Sequence, residues 1–135
     1  MSVTLVNPPE LAKPLGYSHA AVGTGRLVAL GGQIGWDANS KLVSTEFAPQ
    51  FEQALSNLVV ALRAAGGEPT DLISLRIYVT DKQRYNAQLK DIGAAYRKHL
   101  GRHFPPMALL QVADLLEPGA LVEIEGLATL QGGTS

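Results

Sequence analysis

The side chains most able to do chemistry lie near the end of the chain, where Val122-Glu123-Ile124-Glu125 alternates apolar and acidic residues. In a β-strand successive side chains point to opposite faces, so Glu123 and Glu125 share one face and Val122 and Ile124 the other. Two carboxylates placed this way cannot both be deeply buried and charged without partners. One with a raised pKa can take a proton from water and act as a general base. The competing reading is a solvated or salt-bridged pair. Tyr17 and His19 stand two residues apart on one predicted strand face. Histidine there can supply positive charge when protonated, shuttle a proton, or simply be a satisfied interface residue. Tyr17 presents an amphipathic ring at a strand start, with its hydroxyl toward water in the plainer reading. Arg76 points away from Leu75 and Ile77 together with Tyr78, and can offer a guanidinium or pair with Glu125. Gln33 follows Gly31-Gly32, glycines that allow close backbone approach or serve sheet curvature.

Several chemistries are excluded. There is no cysteine, hence no thiol nucleophile, thiolate metal site or disulfide. His99 and His103 flank a predicted helix end, where they suit the helix dipole, and no acidic partner stands at metal-ligand spacing, so no metal is expected. Gly23-Thr24-Gly25 lacks the following helix and lysine of a phosphate loop. No Ser-His-Asp arrangement is supported by an elbow motif.

The elements that must carry these residues follow from the apolar spacing. Residues 2–6 read as a strand stopped by Asn7-Pro8-Pro9. Apolar runs over residues 17–22 and 26–34 are separated by Gly23-Thr24-Gly25, which predicts a β-hairpin. Phe47, Phe51, Leu55, Leu58, Leu62 and Ala65 recur at helical spacing, with Pro49 in the first turn and Gly66-Gly67 as the stop. Residues 72–80 alternate as a strand. Asp81 caps a second helix with a stripe of Tyr85, Leu89, Ile92, Tyr96 and Leu100. Strands over residues 107–112 and 120–130 complete the chain, and residues 132–135 are expected to fray. This order predicts an α+β two-layer sandwich: a mixed six-stranded sheet with two helices on one face. Residues 26–34 are apolar on both faces, so the face without helices needs a partner subunit.

The bulk numbers agree with a single domain over residues 1–135. Hydrophobic residues make up 46% and charged residues 17%, and the formal net charge is -1. That balance favours neither nucleic acid nor an anionic membrane. With no basic-then-apolar start and no apolar stretch of roughly 18 residues, a soluble cytoplasmic protein is expected.

The succession Gly16-Tyr17-Ser18-His19-Ala20, Gly31-Gly32-Gln33-Ile34, Tyr78-Val79-Thr80-Asp81 and Val122-Glu123-Ile124-Glu125 resembles the RidA/YjgF (endoribonuclease L-PSP) family. The likeness runs from about residue 14 to about residue 129. It implies a chorismate-mutase-like fold and a homotrimer with small-molecule clefts between neighbouring subunits. The activity it implies is hydrolysis of reactive enamines and imines, such as 2-aminoacrylate, to a keto acid and ammonia without a cofactor. Other members are described as ribonucleases or translation inhibitors. By the same likeness, Glu123 activates water against C=N and Tyr17 holds ligand.

Departures from the family pattern bear on specificity. Members that hydrolyse amino-acid-derived imines carry arginine in a Pro-x-Arg-Ser context; here Pro105-Pro106-Met107-Ala108 puts Met107 at that position. Gly31 replaces a small polar residue, and Leu109 stands where many members have cysteine or threonine. A bidentate guanidinium–carboxylate pair makes two charge-assisted hydrogen bonds of roughly 1.5–3 kcal/mol each. Without it an α-imino acid binds about 2–4 orders of magnitude less tightly, unless another cation substitutes. The sequence therefore predicts an imine hydrolase for a more apolar intermediate, with Met107 and Leu109 as an apolar wall. A trimer that only binds a small metabolite in the same clefts is the alternative. Ribonuclease activity lacks a basic strip to support it.

Overall fold

The structure, a computed structural model, describes residues 3–131. Its elements are β1 (Val3–Val6), β2 (Ala20–Gly23), β3 (Arg26–Ile34), α1 (Phe47–Ala64), β4 (Leu72–Val79), α2 (Lys82–Ala87), α3 (Leu89–Leu100), β5 (Met107–Gln111) and β6 (Val122–Leu130), with a 3-10 turn at Pro69–Asp71. The tail predicted to fray lies outside the described residues.

β6 organises the main sheet. It pairs antiparallel with β3 on one side and β4 on the other, while β5 runs parallel to β4, giving the order β3-β6-β4-β5. Because β3 and β4 run the same way, as do β4 and β5, each needs a crossover. The crossovers are α1 and the α2–α3 segment, and both lie on one face. The α+β class and the mixed sheet follow the sequence reading. Two details differ. The six strands divide into this four-stranded sheet and a separate β1-β2 ribbon. The expected hairpin between the runs at residues 17–22 and 26–34 does not form, since β2 pairs with β1. Gly25 does adopt φ +114°, so the chain bends where glycine was expected, but the bend hands the strand to another partner.

Alternation places the core. Val122, Ile124, Gly126 and Ala128 of β6 and Leu75, Ile77 and Val79 of β4 are buried under α1 and α3. From the other side α1 contributes Phe47, Phe51, Ala54, Leu55, Leu58, Val59 and Leu62. The predicted single helix over the Tyr85–Leu100 stripe is broken at Gln88, whose φ -127° and ψ 31° are not helical. The Gln88 side-chain carbonyl instead accepts from Ala48 N at 3.0 Å, tying the break to the first turn of α1. Leu89, counted in the stripe, is 54% exposed as a result. No helix among the described residues is long and apolar enough to cross a membrane.

Candidate active site

The sheet face opposite the helices carries the two glutamates, half-buried, between the exposed side chains of its rim. Register sets Tyr78 across from Glu123 and Arg76 across from Glu125, and directly opposed residues share a face. The two carboxylates are treated differently. Tyr78 Oη donates to Glu125 Oε1 at 2.5 Å. That bond above all, then desolvation and the charge of Glu125, holds the Tyr78 hydroxyl above its ordinary pKa, so it stays a donor. Glu123 makes no hydrogen bond or ion pair among the described residues. Its carboxyl group rests over Gly32, where a Cβ would collide with Oε2. Gly31 and Gly32 form an irregularity in the β3–β6 register that leaves this seat open. The ion pair between Arg76 and Glu125 foreseen as the plainer reading is not formed; Arg76, Glu125 and Ser74 instead line a small open-face cavity of about 120 Å³.

The Tyr17 loop is built separately. Residues 17–19 precede β2 rather than belonging to a strand, and are fixed by side chains. Ser18 is 4% exposed, and its Oγ donates to the Phe104 carbonyl at 2.7 Å, fastening the loop to the segment ahead of β5. Asn7 Oδ1 accepts from His19 N at 2.7 Å. His19 Nε2 lies 2.6 Å from the Ala12 carbonyl; a carbonyl only accepts, so Nε2 carries the proton. His19 is therefore engaged within the loop, and its ring meets Tyr17 edge-on at 5.5 Å. The sequence pattern Gly16-Tyr17-Ser18-His19-Ala20 contains Ser18 but assigns it no role. Its signal was a small hydroxyl between two aromatic residues, which no periodicity argument reads.

Met107 lies opposite Leu75 and Leu109 opposite Ile77, so register assigns both to the helix-covered side. Met107 packs partly against the core. It lines a cavity of about 320 Å³ together with Gly16, Phe51, Ile77, Tyr85, Phe104 and neighbouring residues of α3. Burial pushes the Tyr85 hydroxyl up, so it is an O–H donor at neutral pH. Gln33 falls opposite Ile124 rather than Glu123. Thus one chain brings Glu123, Glu125, Tyr78 and Arg76 together on one face, and Met107 and the Tyr17 loop together on the other. A pocket holding both sets needs two chains.

Other polar features are structural. A larger groove of about 640 Å³ between α1 and α3 is lined by Glu46, Glu52, Asp91 and Lys98 but holds none of the expected site residues. Lys98 Nζ and Glu52 already pair there at 2.7 Å, which makes it a solvated helix seam. His99 approaches Glu52 at 3.4 Å, and His103 Nε2 lies 2.8 Å from the Leu72 carbonyl.

Over residues 9–130 the chain matches the family described as Endoribonuclease L-PSP. The human 2-iminobutanoate/2-iminopropanoate deaminase is 34% identical over 117 residues, covering 86% of this chain and 80% of that relative. Among solved structures, YyfB from Yersinia pestis, of the conserved Rid protein family, superposes with a TM-score of 0.87. Its sequence is 33% identical, with 96% of this chain and 100% of that chain covered. Rv2704 from Mycobacterium tuberculosis, a member of the YjgF/YER057c/UK114 family, gives 0.64 at 32% identity, covering 96% and 100%.

Proposed function

The chain belongs to the endoribonuclease L-PSP (RidA/YjgF) family, and on that premise we propose that it is an enamine/imine hydrolase acting on a small, relatively apolar intermediate. The observation that carries this reading is the asymmetry of the glutamates. Glu125 is occupied by Tyr78, whereas Glu123 is half-buried, unpaired and seated over a glycine that leaves room beside its carboxylate. Such a carboxylate is available to a water molecule. Glu123 takes a proton as the water oxygen attacks the imine carbon and the C=N electron pair moves to nitrogen. It then returns the proton to nitrogen to give the carbinolamine, takes the proton of the new hydroxyl and passes it to the amine as the C–N bond breaks, so that a carbonyl product and ammonia leave. An imine carbon is already electrophilic, so the step calls for no metal or cofactor. Tyr17 positions the ligand, and Met107 and Leu109 supply the apolar wall.

The site forms in a homotrimer, where the open sheet face of one copy meets the Met107 side of the next. The exposed Leu27 and Leu110 on that open face support association, at 66% and 44% exposure. Sedimentation equilibrium should return three chain masses. A monomer would leave Glu123 facing solvent and the reaction without a place.

Met107 sets the specificity. 2-Aminoacrylate has no apolar body to fill the space over Met107, so wild-type protein should release pyruvate from it weakly, and Met107→Arg should raise kcat/KM at least about tenfold by adding a charge-assisted bond at that position. Rapid wild-type turnover of that substrate would defeat the apolar-substrate assignment. Met107 also favours the second reading, a trimer that binds a metabolite without turning it over. A ligand that raises the melting temperature while a panel of imines goes unhydrolysed selects it.

A further inference from the structure

We propose that Arg97 on α3 is the anion-binding group of the Met107 cavity, and that this cavity takes a small monocarboxylate with an aromatic or branched apolar body. The inference deepens the hydrolase reading and rests on it for the reaction, though not for binding.

The cavity of about 320 Å³ is at the small end of the range of about 300–1,000 Å³ typical of ligand sites. Phe51, Ile77, Tyr96, Phe104 and Met107 give it apolar walls, and Arg97 is the one charged residue in its lining. Among the described residues Arg97 has no ion pair: those present join Arg63 to Glu68, Arg84 to Asp81, and Lys98 and His99 to Glu52. Its guanidinium lies back along α3 over Gly93, where a methyl group would stand 3.3 Å from Nη1. Gly93 lines the same cavity. A glycine inside a helix lowers helix stability, and here it gives the arginine head room to fold toward the cavity. Tyr85, also in the lining, has a hydroxyl without a hydrogen-bond partner among the described residues. A guanidinium without an ion pair and a phenolic hydroxyl stand above apolar walls, and the same chain places no acid among the lining residues, a set that suits an amphipathic anion. Guanidinium is weakly hydrated and matches a carboxylate bidentately; a phosphate dianion would have to leave water for hydrocarbon walls. Carried on α3 rather than at position 107 of β5, the cation leaves the space over Met107 for a substrate side chain.

Calorimetric binding of phenylpyruvate and of its uncharged counterpart phenylacetone tests this on the intact protein. Arg97→Gln should weaken phenylpyruvate about tenfold to a hundredfold, the value of one charged hydrogen bond, and leave phenylacetone unchanged. Arg97→Lys should recover part of the loss, since it keeps charge without the planar fork. Arg97 is exposed on its helix, and melting temperatures of the variants check that the fold is kept. Equal loss for acid and ketone, no loss for either, or no wild-type binding of phenylpyruvate overturns the assignment. The two readings fail differently. Arg97-dependent binding with no imine turnover keeps this inference and removes the hydrolase. Glu123-dependent turnover with phenylpyruvate affinity untouched by Arg97→Gln keeps the hydrolase and removes this inference.

Discussion

Glu123→Gln is expected to slow imine hydrolysis by about two to four orders of magnitude, the usual weight of a positioned general base, while leaving the fold intact. The amide is nearly isosteric but cannot accept the proton of the attacking water. Stability should change by no more than about 0.5 kcal/mol, because Glu123 makes no hydrogen bond or ion pair that the amide would forfeit. The matching substitution Glu125→Gln should cost far less rate, since Tyr78 can still donate to the side-chain carbonyl. Gly32→Ala approaches the same group from below: the new methyl collides with Oε2, and the carboxyl end, being flexible, swings off its seat. That variant should lose kcat with little change in melting temperature. Steady-state rates on an accepted imine, with thermal melts alongside, separate the three. Turnover indifferent to Glu123→Gln would take the residue out of the mechanism.

Much of this arrangement is legible in the sequence because it is local. The α1 stripe and the alternation of β4 and β6 are periodic patterns, and periodicity survives any choice of neighbour. Hence the shared face of Glu123 and Glu125 and the outward Arg76 follow from residue spacing alone. Pairing is not local. Gly23-Thr24-Gly25 specifies that the chain turns, yet β3 finds its partner in β6 about a hundred residues later, and nothing within the turn encodes that choice. The break at Gln88 has the same origin. Glutamine is a sound helix former, and its departure from helical angles is set by the Ala48 N–H it must reach.

Met107 and Leu109 show a further gap between position and direction. The sequence resemblance assigns both to the site, and register with β4 turns them to the helix side, away from Glu123 of the same chain. A linear motif orders residues and says nothing about which copy supplies each. Arg97 escaped for the opposite reason. Beside the apolar stripe it reads as a solvated charge, and its position over Gly93 is visible only in the folded chain.

The largest loss of stability is expected from a residue the apolar stripe passes over. Gln50 is fully buried, within the core-facing side of α1. Its Nε2 donates to the Ser44 and Gly119 carbonyls at 2.9 and 3.0 Å, and its Oε1 accepts from Leu121 N at 2.8 Å. One amide thereby satisfies three backbone groups and joins the start of α1 to the turn ahead of β6. Gln50→Leu keeps the volume but leaves those groups without the amide, at about 1–3 kcal/mol for each unsatisfied buried group. Some relaxation offsets this, so roughly 3–5 kcal/mol is expected out of the roughly 5–15 typical of a domain. For a chain of this size that lowers Tm by roughly 10–20 °C. Gly35→Ala attacks the same junction, since a Cβ there would stand 2.5 Å from Gln50 Cα, backbone that cannot move aside. Because both act at one contact, the double variant should lose less than the sum of the singles. Leu121 precedes Glu123 by two residues, so the Gln50 variant that remains folded should also lose kcat as the start of β6 loosens. A loss under about 1 kcal/mol would mean that water replaces the amide at all three partners, and that Gln50 does not set where β6 begins.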